Sequence, residues 1–192
     1  MEKIAVSEIK PADEYNRIRD EYRERLMAIK KHRRVTVGPY LNFLFENRDT
    51  MLYQIQEMVR AEGIKDPRGI AHEVETYNQL VPSGEELKAT LLIEIDDPTV
   101  RKVKLSELVG LERCISLLVD RDYQVDAVFD EGQLSPEKIS SVQFITFPLG
   151  AAARDALLAT DHVELVVSHP ACSYRTTLSP EQVAALAEDL RA

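Results

Sequence analysis

The sequence predicts an α+β fold in which a helical N-terminal half packs on a mainly antiparallel sheet. Three observations carry that expectation. Before residue 80, apolar residues recur every three or four positions in three separate stretches, the spacing of amphipathic helices. From Glu86 onward the pattern turns to alternation, the spacing of half-buried strands. That second part also reads as two successive β-α-β-β units of similar length. With 192 residues, 44% of them hydrophobic and 30% charged, the chain is long enough to bury a core of its own. One domain spanning 1–192 is therefore expected, with a helix-led half at 1–85 and a strand-led half at 86–192.

The first helix is expected to open at Pro11, a favoured first helical position, with Asp13 and Glu14 in its opening turn. Tyr15, Ile18, Tyr22, Leu26 and Ile29 form its buried stripe. It closes in Lys30-Lys31-His32-Arg33-Arg34, where positive charge meets the negative end of the helix dipole. A charged helix end on a solvated face is the plain reading of that run. The sharper reading is a site for an anion or an acidic partner, such as the acidic C-terminal half of the chain itself. Val35 to Val37, the turn Gly38-Pro39 and Tyr40 to Phe45 then read as two short strands.

The next helix begins after Glu46 and is capped by Asn47 or Asp49. Leu52, Ile55 and Val59 make its apolar stripe, joined by Met51 and Met58. Thr50, Gln54 and Glu57 fall on a second stripe, and Asp49, Tyr53, Gln56 and Arg60 on a third. That is more polar side chains of fixed geometry than a packing helix needs. Two readings follow: an internal network that satisfies nearby turns and strand edges, or a pocket or docking face built from Glu46, Asn47, Arg48, Gln54, Glu57 and Arg60. Arg48 is the natural bidentate anchor for a carboxylate, internal or from a ligand. A third helix follows Asp66-Pro67, with Ile70, Val74 and Tyr77 on its apolar face and Pro82-Ser83-Gly84 beyond it.

The first β-α-β-β unit comprises a strand from Ala89 to Ile95, a helix from Leu105 to Leu111, and hairpin strands Cys114 to Val119 and Tyr123 to Phe129. The second comprises Val142 to Phe147, a helix from Ala151 to Ala159, and hairpin strands His162 to Ser168 and Ser173 to Leu178. Ile115, Leu117 and Val119 match Val163, Leu165 and Val167 in phase. Two such units are expected to form one antiparallel sheet with helices on a common face. Ser179-Pro180-Glu181 opens a closing helix that docks Val183, Leu186 and Leu190.

A net charge of −9 argues against a general nucleic-acid or membrane-surface binder. No apolar run approaches a membrane span, and the N-terminal stretch has no secretory h-region, so a cytoplasmic protein is expected. Cys114 and Cys172 are too few for a disulfide framework and are expected to be free thiols. The seven glycines are scattered, with no GxGxxG and no P-loop. There is no GxSxG, CxxC, HExxH or ExxH. No cofactor is expected and no metal. The alternative for a metal is His169 with Cys172, read as a hairpin tip carrying a surface imidazole and a thiol. His162 stands some seven strand residues away, roughly 20 Å, too far to share an ion with His169.

The stretches RRVTVGPYLNFLFENRDTMLYQIQEMVRAE (Arg33 to Glu62), Tyr77 to Pro82 and Glu86 to Glu94 resemble the bacterial and archaeal family known as domain of unknown function 3501. The resemblance covers most of the chain and is loosest over the last forty residues. It implies no established activity. Members of the family are encoded beside rubrerythrin-like proteins and iron–sulfur oxidoreductases, which implies an accessory role in redox handling. The leading expectation is thus a non-catalytic partner of such a protein, with the Glu46 to Arg60 face as its working surface. The sequence leaves a homo-oligomer open. The competing expectation is a small-molecule-binding protein or enzyme, with Arg48 holding an anionic ligand and Glu57 or Glu46 acting as acid or base.

Overall fold

The computed structural model describes residues 1–130 and 137–191. Six α-helices and nine strands alternate along these residues: α1 (Ala12–Lys31), β1 (Arg34–Val37), β2 (Leu41–Glu46), α2 (Arg48–Ala61), α3 (Pro67–Asn78), β3 (Glu86–Ile93), α4 (Pro98–Glu107), β4 (Ile115–Val119), β5 (Tyr123–Asp126), β6 (Val128–Phe129), β7 (Val142–Pro148), α5 (Gly150–Ala159), β8 (Val163–His169), β9 (Cys172–Thr177) and α6 (Pro180–Arg191). The α+β expectation holds. The starts of α2, α3 and α6 lie where their capping residues put them; the helix expected from Leu105 to Leu111 runs instead from Pro98 to Glu107, where Asp97 accepts from the Thr99 and Val100 amides. Asp66 accepts from the Gly69 amide ahead of Pro67, and Ser179 and Gln182 cap α6 reciprocally, each side chain taking the other's backbone N–H.

The strands form two antiparallel sheets, one ordered β1-β2-β3-β7-β6 and the other β5-β4-β8-β9. This corrects the expectation of a single sheet. The two β-α-β-β units are present, and their equivalent strands pair with each other: β3 with β7 in the first sheet and β4 with β8 in the second. Antiparallel pairing of equivalent strands is what a local two-fold relation between two copies produces. In the second sheet, Leu117 lies opposite Leu165, the two residues matched by phase in the sequence.

Each unit therefore gives its first strand to one sheet and its hairpin to the other. The inner faces of both sheets can then close on one core instead of each exposing an apolar face. Phe43, Phe45, Leu91 and Phe147 from one sheet share a cluster with Leu117 and Leu165 from the other, and Leu157 and Leu186 of α5 and α6 complete it. The expected strand Tyr123 to Phe129 is broken at Ala127, whose N–H turns to Ile115 (2.9 Å) as the chain passes from one sheet to the other. At the opposite seam, Gly38 (φ 64°) turns the β1–β2 hairpin so closely against the Tyr174 ring of β9 that a Cβ would lie 2.5 Å from it.

The N-terminal helices keep a smaller core of their own, made by Ile4, Ile9, Met51, Ile55, Val59, Val74 and Val81. This helical layer lies over the outer face of the five-stranded sheet. Because the two layers bury separate clusters, they meet across a groove, and β2 runs into that groove at its C-terminal residue, Glu46.

Candidate functional site

The polar face of α2 divides into two parts with opposite fates. The first is an internal network. Asn47 caps the helix, its side chain accepting from the Thr50 amide (3.0 Å) while the Thr50 hydroxyl accepts from the Asn47 amide (2.9 Å). Arg48 donates through Nη2 to both oxygens of Glu8 (2.6 and 2.5 Å), pinning the N-terminal turn Val6–Glu8 and holding the Glu8 carboxyl below its ordinary range. Gln56, buried, clasps the backbone of Lys10, accepting from its N–H (2.9 Å) and donating to its C=O (2.7 Å). Gln56 was not among the candidate residues, and a lone helical amide gives no sequence signal that its partner is a backbone 46 positions earlier.

Glu57 is the hub of this network. One oxygen accepts from the Tyr15 hydroxyl (2.7 Å) and Arg19 Nε (2.8 Å), and the other from Arg19 Nη2 (2.9 Å) and Arg60 Nη2 (3.1 Å). The fork of Arg19 does most to hold the Glu57 carboxyl down, at about 2, helped by Tyr15 and Arg60. Burial and the neighbouring carboxylate push the Tyr15 phenol up in turn. A carboxylate so held stays ionised and cannot pick up a proton near neutral pH. Four of the six candidates, Asn47, Arg48, Glu57 and Arg60, thus tie α2 to α1, to the N-terminal turn and to each other.

The second part faces the groove. Glu46 is 4% exposed. Its Oε1 accepts from the Thr90 hydroxyl on β3 (2.6 Å), whereas Oε2 is buried with no hydrogen-bond partner among the described residues. Burial pushes the Glu46 carboxyl above the usual range. The Thr50 and Thr90 hydroxyls and the charges of Lys30 and Arg33 oppose this without reversing it. Glu46 and Gln54 line a groove of 260 Å³ together with Lys30, Arg34, Thr90 and apolar residues of both layers. Register explains the floor. Arg34, Leu44, Thr90 and Phe144 form one row across four strands, and Glu46 sits in the next row, opposite Lys88. Half-buried Lys30 lies with its ammonium 5.4 Å from the Tyr53 ring centroid, and burial pushes it below its ordinary range. The groove continues, through Tyr77, Leu80 and Phe144, into a second hollow of 560 Å³.

The basic run at the end of α1 is divided in the same way. Arg33 is buried and forks onto Asp189 of α6 (2.8 and 2.6 Å), also donating to the Ala185 carbonyl (2.9 Å). Its partner is the chain's own C-terminal helix. Lys30 and Arg34 remain on the groove.

The hairpin residues considered for a metal are placed differently from expectation. His169 is buried, with Nε2 3.1 Å from the Val109 carbonyl and Nδ1 accepting from the Ala171 amide (3.2 Å). This makes Nε2 the donor and occupies both ring nitrogens, correcting the surface imidazole. Cys172 is buried too, directly opposite His169 in register. Among the described residues, no group of three or more His, Cys, Asp or Glu side chains could hold a metal ion. No helix among them is long and apolar enough to cross a membrane.

Comparison with known proteins gives the chain its family. Residues 3–190 match the family described as "Protein of unknown function (DUF3501)". The chain belongs to the DUF3501 family. Its fold is similar to the crystal structure of a protein of unknown function from Burkholderia pseudomallei K96243, with a TM-score of 0.92 and 37% identity over 98% of this chain and 100% of that one. No curated protein matches. The stretch from Arg33 to Glu62 that carries the family resemblance holds, in this DUF3501 protein, the Arg33 pair, the Glu57 hub and the groove carboxyl together. The signature thus encodes a fold-locking network and an open site within one run of thirty residues.

Proposed function

We propose that this DUF3501 protein is a non-catalytic accessory component of a cytoplasmic redox system, docking onto a rubrerythrin-like protein or an iron–sulfur oxidoreductase. The redox setting comes from the company the family keeps. The observation that supports docking is α4. None of its ten residues is buried, and it presents Val100 and Val103 one turn apart at 48% and 53% exposure, between Arg101, Lys102 and Lys104. An apolar pair framed by cations suits a partner surface of acidic rim and apolar centre. Most of the α2 face first considered for docking is occupied by internal pairs, so the contact surface is assigned to α4 instead.

The test mixes the purified full chain with the rubrerythrin-like protein and with the iron–sulfur oxidoreductase of its own organism, and reads the mass of any complex by light scattering after size exclusion. A complex that weakens at least about tenfold in the double variant Val100→Asp, Val103→Asp supports the reading. No complex with either protein, or one indifferent to both substitutions, overturns it.

The competing reading placed an anionic ligand at Arg48 and acid–base chemistry at Glu57 or Glu46. Arg48 and Glu57 are engaged internally, and Glu57 is held ionised. The observation that favours ligand binding lies at Glu46.

A further inference from the structure

We propose that the groove between α2, α3 and the outer face of the five-stranded sheet binds a small organic carboxylate with an apolar tail, its head held by Lys30 and Arg34 and hydrogen-bonded to Glu46. This goes beyond the accessory role and does not rest on it.

Glu46 supplies the first argument. A buried polar atom without a partner costs free energy, and an ionised one costs far more. Among the described residues no cation is ion-paired with its carboxyl; Thr90 donates to Oε1, and the nearby Thr50 hydroxyl donates to the Asn47 carbonyl (3.0 Å), leaving Oε2 without a hydrogen bond. The neutral acid is the form such a site favours. A neutral carboxyl carries an O–H that needs an acceptor, and a ligand oxygen entering the groove provides one.

Charge supplies the second. Lys30 and Arg34 line the groove, and Lys88, opposite Glu46 in register, lines the adjoining hollow. The acids nearby are Glu94, 3.9 Å from Arg34, Asp130 at the far side of the hollow and Glu86 beside Lys88. The lining of the groove itself sets two cations, Lys30 and Arg34, against one acid, Glu46, in a protein whose net charge is −9. That local reversal selects an anion, and the planar fork of Arg34 suits a carboxylate.

Shape supplies the third. Behind the polar end, Leu44, Leu92 and Phe144 floor the groove, and Met51, Tyr77 and Leu80 wall it. The opening into the second hollow gives a tail room to extend. A concave, mostly apolar site with a few convergent polar groups is the ordinary form of a small-molecule site.

The experiment titrates the full chain with decanoate, below its micelle concentration, by isothermal calorimetry. Decylammonium and decanol serve as matched probes of opposite and zero charge. The expected result is one-to-one binding of decanoate, weaker by at least about tenfold for either other probe and about tenfold weaker in Lys30→Met and in Arg34→Met. Glu46→Gln, which retains a neutral donor, keeps binding within about threefold, whereas Glu46→Leu loses about tenfold. Both lysine and arginine sites are partly exposed, so those variants keep their fold, and their circular dichroism checks it. Decylammonium or decanol binding as tightly as decanoate overturns the proposal. So does decanoate binding that is absent, or that is unchanged in Lys30→Met and Arg34→Met.

Discussion

Glu46 and Glu57 stand eleven positions apart, on the last residue of β2 and the penultimate turn of α2, and the fold treats them in opposite ways. Glu57 receives four hydrogen bonds from three side chains, and its carboxyl is pulled down to about 2. Glu46 receives one from Thr90, has an oxygen without a hydrogen-bond partner among the described residues, and is pushed up. Glu46 is buried and Glu57 half-buried, and both burial and saturation separate them: a carboxylate surrounded by donors belongs to the scaffold, and a buried one left short of partners beside a groove is available to something else.

The largest test of that contrast is Glu57→Gln. Arg19, Arg60 and Tyr15 lose their anionic acceptor, and urea unfolding at pH 7 should show a loss of about 3 kcal/mol. The pH dependence has a definite sign. The folded-state pKa lies below the unfolded value, so this stability is present above about pH 4.5 and is lost as pH falls toward 2. The Gln variant should lack that acid-side loss, and a wild-type curve parallel to the variant's would break the contrast. Glu46→Gln is expected to do the reverse, on a smaller scale. A raised folded-state pKa means that the native protein holds a proton the unfolded chain has released, so Glu46 costs stability as pH rises through and above the carboxylate range. The variant should match wild type at pH 4 and exceed it by about 1 kcal/mol at pH 8. The smallest effect is expected at Gln54, which lines the groove: Gln54→Ala should shift unfolding by no more than about 0.5 kcal/mol. A larger loss would move Gln54 into the scaffold and leave Glu46 and Thr50 as the groove's polar members from the α2 signature.

Local rules carried the reading of the elements a long way. Asn47, Asp66-Pro67 and Ser179-Pro180 open helices where capping chemistry says they should, because a cap is settled within four residues. The phase match of Ile115, Leu117 and Val119 with Val163, Leu165 and Val167 pointed to a duplication that the pairing of β4 with β8 realises. The candidate residues lie on one helix and the two residues before it, and they belong to two sites. Arg48 was legible as a bidentate anchor. That its carboxylate is Glu8, forty positions away, was not.

The sequence by itself determined the fold class, the positions of the helices other than α4, the repeated β-α-β-β pattern and the family. Each depends on residues near one another in the chain or on a pattern repeated along it. Only the tertiary structure decided that the two units share their strands between two sheets, since alternation says which residues face one way and not which sheet they join. It also decided that Arg33 meets Asp189, that His169 is buried with both nitrogens engaged, and that Glu57 is saturated while Glu46 is not. Hydrogen bonding and burial are properties of neighbours in space, and a carboxylate's role follows from how many donors the fold brings to it.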